Sequence, residues 1–320
     1  MPASPEGILK IRLTWDGAAI GAVDITPRRL LDPNLAVRGK PPQEAAQALP
    51  LLYSLCGQAQ GVAAKLALAA AQGEATATVT QARTVVAEAI RESAWHFLID
   101  LPRHFGLPPD PQKLAQLRKD PAAGMQWEEL YASSGMAGLE NETRGASDIP
   151  LLPDFDARQM TEEILPALLS GPNFASHPHW HGGPAETGAA ARLGKTGNTA
   201  ASRLQARYEE LPRLTAARRD DVTLMQLGWL KQVRVGENAG LAWLQTSRGL
   251  LIHYAQVKNG VVTDYRIVAP TEWNFHPQGA FARGLAGQPA ATLEEVRRHA
   301  ELLLLALDPC VEYEIGITHA

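Results

Sequence analysis

Ser247-Arg-Gly-Leu-Leu-Ile-His-Tyr-Ala-Gln-Val-Lys-Asn-Gly-Val-Val-Thr-Asp-Tyr-Arg-Ile-Val-Ala-Pro-Thr-Glu-Trp-Asn-Phe-His-Pro277 reads as a β-hairpin followed by a stiff exit. Residues 249–257 and 261–268 are rich in β-branched, aromatic and other apolar side chains. Asn259-Gly260 between them is a strong turn signal, because the favoured two-residue turn needs residues that tolerate positive φ. Upstream, residues 241–246 predict a third strand. At the opposite end of the chain, residues 8–15 alternate apolar and polar like a half-buried strand. Asp16-Gly17 then signals a turn, and residues 18–25 predict the returning strand.

Between these ends the pattern is helical. Residues 42–72 are rich in Ala and Leu, with Pro50 and Gly57 as local interruptions. Over 78–101, Val86, Ile90, Ala94 and Leu98 form one apolar stripe, and Pro102 is expected to end the helix. A further helix is predicted from Thr199 through about Val233, broken near Pro212, and another over 292–307. The fold class is therefore α+β: a mainly helical core with small β-hairpins near both termini. If residues 1–320 form one domain, its two ends must meet in space.

Composition narrows the function. Hydrophobic residues make up 45% of the 320 positions, enough for a sizeable core. Thirty basic against 34 acidic residues leave a net charge of −4, which gives no basic field for a phosphate backbone and argues against nucleic acid. No apolar run reaches the length of a membrane span. Met1-Pro-Ala-Ser-Pro-Glu6 lacks the layout of a signal peptide. Two cysteines exclude a disulfide scaffold and a four-thiolate zinc site, so a reducing, cytoplasmic setting is expected.

Those two cysteines, Cys56 and Cys310, lie 254 positions apart. Neither belongs to a CxxC pair, so two unrelated buried thiols are the plain reading. Their neighbours point elsewhere. Gly57 lets backbone or ligand approach Cys56 closely, and Asp308-Pro309 stiffens the chain before Cys310. Thiolates held in this way can bind a soft metal fragment.

The 247–277 stretch resembles the C-terminal hairpin of [NiFe]-hydrogenase large subunits, which reads Pro-Arg-Gly, then Gly-His, a hairpin, then Val-Pro-Ser/Thr-x-Trp-Asn-x-x-Pro. Four other segments resemble that family in the same order. Residues 8–25 look like its N-terminal strand pair, and Leu55-Cys-Gly57 like its first cysteine motif, Arg-x-Cys-Gly-x-Cys-x-x-x-His. Glu186-Thr-Gly-Ala-Ala-Ala-Arg192 is similar to Glu-x-Gly-Pro-Leu-Ala-Arg, and Asp308-Pro-Cys310 to the start of Asp-Pro-Cys-x-x-Cys-x-x-His.

The departures carry the functional reading. In the family each motif supplies a terminal nickel ligand and a cysteine bridging nickel and iron. Cys56 and Cys310 match the terminal positions, whereas Ala59 and Tyr313 stand at the bridging ones. Ser54 replaces the motif arginine, Ala63 and Gly316 replace the motif histidines, and no Glu follows Arg28-Arg29. Two thiolates cannot build a four-thiolate bimetallic site. This set of losses resembles the HupK group, called HoxV in some operons, of hydrogenase expression/formation proteins.

The resemblance implies a non-catalytic maturation scaffold that transiently holds the Fe(CN)2(CO) fragment, with nickel left open. Its implied partners are the proteins of the iron-fragment assembly complex and the apo large subunit. Cys56 and Cys310 would ligate iron, and Arg248 and Thr271 would offer donors to cyanide nitrogens. Pro270, with Leu250 or Leu251, would wall the carbonyl, and Asp308 would pair with Arg248 or accept a proton. Each has a plainer alternative: an ion pair for Arg248, a cap hydroxyl for Thr271, a turn for Asp308. Two rival functions remain, a metal-free chaperone for the immature hydrogenase and a degenerate nickel oxidoreductase. His177, His179 and His181 alternate and would share one side of an extended segment, but a solvated loop is the simpler reading. His253 is expected to be a hydrogen-bonded structural residue.

Overall fold

The computed structural model describes residues 7–28, 32–53, 55–74, 77–119, 126–139, 144–171, 173–195 and 199–319. Met1–Glu6, the Arg28 side chain, Arg29 and Ser54, all read above, lie outside the described residues.

Two small sheets frame a helical interior. The first orders three strands as β2-β1-β7: β1 is Ile8–Trp15, β2 is Ile20–Arg28 and β7 is Glu312–His319. β1 pairs antiparallel with β2 through the Asp16-Gly17 turn, and parallel with β7, with Ile8 opposite Glu312 and Leu13 opposite Ile317. The two ends of the chain thus share one sheet. This sheet fixes the direction in which the chain leaves Cys310.

The second sheet is an antiparallel meander, β3-β4-β5-β6, comprising Leu230–Arg234, Ala239–Thr246, Gly249–Lys258 and Val261–Val268. Its side chains alternate between two apolar masses. Leu241, Trp243, Leu250, Ile252 and Tyr254 pack into a cluster with Phe155, Ile164 and Phe174. Ala242, Leu244, Leu251 and Ala255 face the larger core around the helix Gly57–Gln72 (α1). Period-two alternation explains this division, and because both faces are covered β4 is buried along its whole length. β4 lies so close to α1 that a Cβ on Gly240 would sit 2.2 Å from the Ala67 carbonyl oxygen. Only glycine fits there.

Four further helices, among others, bear on the site. They are Val79–Trp95 (α2), Ala200–Ala217 (α3), Pro270–Asn274 (α4) and Leu293–Leu307 (α5). Thr78 closes a capping box with Gln81 at the start of α2, and the Thr292 side chain caps α5.

Several sequence expectations are corrected. Pro102 does not end its helix: α2 passes through a π turn at His96–Asp100 into Leu101–His104, where Pro102 occupies the first turn. Proline has no N–H to donate to the preceding turn, and the π turn falls where that bond is missing. α3 runs through Pro212 without breaking, and it stops at Ala217. Leu230–Arg234, read as the end of a helix, is β3, drawn into the sheet by its pairing with β4. β7 was not anticipated.

Candidate metal-fragment site

Cys56 and Cys310 meet in the interior. Both are buried, their sulfurs are in hydrogen-bond contact, and they are not joined in a disulfide. Cys56 is the residue before the first turn of α1. That turn is held from outside by Glu88 of α2, whose carboxylate accepts the Gln58 N–H at 2.9 Å and the Ala59 N–H at 3.0 Å. A carboxylate suits the positive end of a helix and fills two of its unpaired donors. Burial nevertheless raises the Glu88 carboxyl above its ordinary range, against the pull of those two N–H groups.

Cys310 follows the C-terminus of α5. Asp308 ends the helix in a left-handed conformation (φ 52°), which Asp tolerates better than most residues. Pro309 and the start of β7 then fix the Cys310 backbone. Thr271, in α4, grips the cysteine twice: its hydroxyl donates to the sulfur at 3.0 Å and accepts the Cys310 N–H at 3.0 Å. Pro270 precedes it, buried at the first position of α4.

Arg248 lies in the tight turn between β4 and β5, which Gly249 (φ 128°) makes possible. A Cβ on Gly249 would meet Thr187 at 2.5 Å. Thr187 is itself tied down, receiving Leu250 N–H on its hydroxyl and donating its own N–H to Asn274 at 2.9 Å. Asn274 thereby fixes the turn that carries Arg248. Leu250 and Leu251, both considered as carbonyl wall, point to opposite faces of β5 and enter different apolar clusters.

A buried charge network holds the guanidinium. Asp308 Oδ2 lies 3.2 Å from Arg248 Nε and 3.0 Å from Arg207 Nη1, and its Oδ1 lies 2.9 Å from His96 Nε2. Glu92 Oε2 reaches Arg248 Nη2 at 3.2 Å. Burial opposes the Arg248 charge, but Asp308, Glu92 and the two thiols outweigh it and raise the guanidinium above its ordinary range. Burial likewise opposes ionised Asp308, yet Arg248, His96 and Arg207 prevail and hold it well below the carboxylate range. Cys56 is pushed up, first by the hydrogen bond with Cys310 and then by burial. Arg248 Nε, although near Asp308, makes no hydrogen bond, which leaves one buried donor unspent.

Six residues singled out in the sequence, Cys56, Arg248, Pro270, Thr271, Asp308 and Cys310, therefore sit on four elements that the fold brings to one region. The Thr271 hydroxyl, expected to face a cyanide, is committed to Cys310. Sequence reasoning missed Glu88, Glu92 and His96. Their four-residue spacing along α2 is a polar stripe beside the apolar one, and that signal was available. The site is flanked by two clefts. One, of about 860 Å³, is lined by Glu92, His96, Arg248, Asp308 and Tyr313 among others. The other, of about 770 Å³, is lined by Gly57, Gln58, Glu88 and Glu92 among others. Leu55 and Glu92 border both. Ala59 and Ala63 are fully buried, while Tyr313 is 45% exposed. The alternating histidines do not converge: His181 Nε2 lies 3.5 Å from Glu163, His177 packs edge-on to His276, and His179 packs against Phe174. Among the described residues, no three His, Cys, Asp or Glu side chains are placed to hold a metal ion together.

Residues 185–311 match the nickel-dependent hydrogenase family. The hydrogenase expression/formation protein HupK of Azotobacter vinelandii is 32% identical over an alignment covering 98% of this chain and 99% of the relative. The chain belongs to the HupK/HoxV family of hydrogenase expression/formation proteins. HoxV of Cupriavidus necator, 29% identical, covers 87% of this HupK/HoxV-family chain and 88% of itself. The fold is that of the Ni-Fe-Se hydrogenase from D. vulgaris Hildenborough, with a TM-score of 0.68 at 14% identity, covering 92% of this chain and 94% of the other. The Desulfomicrobium baculatum Ni-Fe-Se hydrogenase gives the same TM-score at 13% identity. In this chain Ala59 stands three residues after Cys56 and Tyr313 three residues after Cys310.

Proposed function

We propose that this protein acts in hydrogenase maturation as a scaffold that takes up an Fe(CN)2(CO) fragment between Cys56 and Cys310 and passes it to an apo hydrogenase large subunit. The names of its relatives support a role in hydrogenase expression or formation. The observation that carries the finer reading is the contact of two sulfurs 254 residues apart beside a buried guanidinium.

The donor set suits that cargo. Low-spin iron with cyanide and carbonyl ligands is soft and takes thiolate donors. Cyanide nitrogen accepts hydrogen bonds, and the Nε–H of Arg248 is a buried donor without a hydrogen-bond acceptor. Thr271 would orient Cys310 towards the iron. Asp308 and Glu92 would hold Arg248 in place, as the partners of a ligand-contacting group commonly do. Two thiolates in place of four favour release, as a carrier requires.

Infrared spectroscopy of protein purified without oxygen from a host expressing the maturation machinery tests the proposal. Sharp cyanide and carbonyl stretches that vanish in Cys310→Ala are expected. A spectrum without those bands, together with undiminished maturation by the Cys56→Ala/Cys310→Ala protein, would overturn the scaffold and leave a metal-free chaperone.

A further inference from the structure

A second set of buried polar groups reaches Cys56. Gln60, one helical turn along α1, points its amide nitrogen at the Cys56 sulfur at 3.7 Å. Its amide oxygen lies 2.8 Å from His253 Nε2, and His253 Nδ1 lies 2.7 Å from the Tyr265 hydroxyl. The backbone dictates this line. His253 falls between Leu251 and Ala255 on the face of β5 that packs against α1, and Tyr265 lies diagonally across on β6, opposite Ala255. Gln60 and His253 are 0% exposed and Tyr265 is 1% exposed.

Proton counting gives the chain a direction. Among the described residues, the Tyr265 hydroxyl has one acceptor, His253 Nδ1. A buried hydroxyl proton without an acceptor is costly, so Tyr265 donates and Nδ1 accepts. Burial keeps His253 neutral, which leaves its single ring proton on Nε2. That proton goes to the Gln60 oxygen, and an amide whose oxygen is so engaged must turn its NH2 towards Cys56. Every link donates towards the sulfur.

We infer that Tyr265, His253 and Gln60 are positioning residues that keep an N–H donor directed at the Cys56 sulfur and so set how strongly that sulfur donates to a bound soft metal. The inference deepens the proposed scaffold and rests on it for the identity of the metal. An N–H aimed at a metal-bound thiolate withdraws charge from it, and hydrogen bonding around a cysteine sulfur is a recognised means of tuning its metal. A less donating sulfur leaves iron with less density to return to carbonyl, and the carbonyl stretch rises. It also holds the fragment less firmly. Cys310 accepts from Thr271 at shorter range. Both sulfurs are thus arranged as acceptors, one through a direct contact and one at the end of a three-residue line.

Two readouts test this, one of them independent of iron. In metal-free protein carrying Cys310→Ala, the remaining S–H stretch seen by Raman spectroscopy belongs to Cys56. Tyr265→Phe removes the hydroxyl that fixes the direction, so the Gln60 amide can turn over and accept from the thiol. The S–H band should then broaden and move to lower wavenumber. Gln60→Leu, which offers no acceptor, should not lower it. In iron-loaded full-length protein, both Gln60→Leu and Tyr265→Phe should lower the carbonyl stretch relative to the parent. Failure to load iron in the parent would sink the scaffold while the S–H band still judges the chain. An S–H band identical in the Tyr265→Phe protein and its parent, with both proteins folded, would overturn the inference.

Discussion

Thr271 and Cys310 are bound at two points: one hydroxyl satisfies both the sulfur and the backbone N–H of the cysteine, each at 3.0 Å. This makes Thr271 a clamp between α4 and the chain leaving α5. Thr271→Val keeps the shape but strands the buried Cys310 N–H, at a cost of about 1–3 kcal/mol. Thr271→Ser retains the hydroxyl and should fall within about 1 kcal/mol of the parent. Urea unfolding of the three proteins reads the difference.

Glu186 and Arg203 form a two-pronged ion pair, 2.7 and 2.8 Å, with both side chains 3% exposed. Arg203 also donates to the Gly145 carbonyl at 2.7 Å and to the Ser147 hydroxyl at 3.0 Å, tying α3 to a loop. Arg203→Met would leave the Glu186 charge buried and alone, which costs about 3–5 kcal/mol. Adding Glu186→Leu should recover part of that loss, because the uncompensated charge goes with it. A double-mutant cycle with a recovery of zero would contradict the assignment of the cost to that charge.

Burial holds His253 neutral, down at about 3. The unfolded chain binds a proton there near 6.5, so as the pH falls below 6.5 the unfolded state gains a proton that the folded state refuses. Stability is therefore present above pH 6.5 and is lost as the pH falls, at roughly 1.4 kcal/mol per unit. His104 and His276, also shifted down, act in the same direction more weakly, and Glu88, shifted up, acts in the opposite direction at lower pH. Between pH 6.5 and 5 the slope of unfolding free energy against pH should be markedly shallower in His253→Gln. Equal slopes would mean that His253 is protonated in the fold.

The β5–β6 hairpin was legible because its turn chemistry and its apolar content agree, and the structure places β6 at the residues expected. β7 was missed although a local signal existed: in Glu312-Tyr-Glu-Ile-Gly-Ile-Thr-His319, Tyr313, Ile315 and Ile317 alternate with polar or small residues. None of its side chains is buried, so that alternation marks no apolar core face, and the strand's place is set by its long-range pairing with β1. The same division holds at the site. Cys56, Arg248, Thr271 and Cys310 stood out through short motifs. Gln60, Glu88 and His96 belong to no motif; beyond the polar stripe on α2, only the packing of the elements brings Gln60 to Cys56, Glu88 to the first turn of α1 and His96 to Asp308.

The contact between Cys56 and Cys310 can be trapped chemically. Two thiols in hydrogen-bond contact, each at the end of a rigid element, can join when a mild oxidant such as diamide takes up two electrons and two protons, giving one disulfide and the reduced oxidant. Treated protein should lose both alkylatable thiols, weigh two mass units less, and remain monomeric on non-reducing gels. A tryptic map should then show the peptides bearing Cys56 and Cys310 linked. Intermolecular dimers in place of that internal link would place the sulfurs apart and remove the geometric basis for a shared metal fragment. Prior loading with the iron fragment should protect both thiols from the oxidant, since the same two sulfurs cannot serve metal and disulfide together.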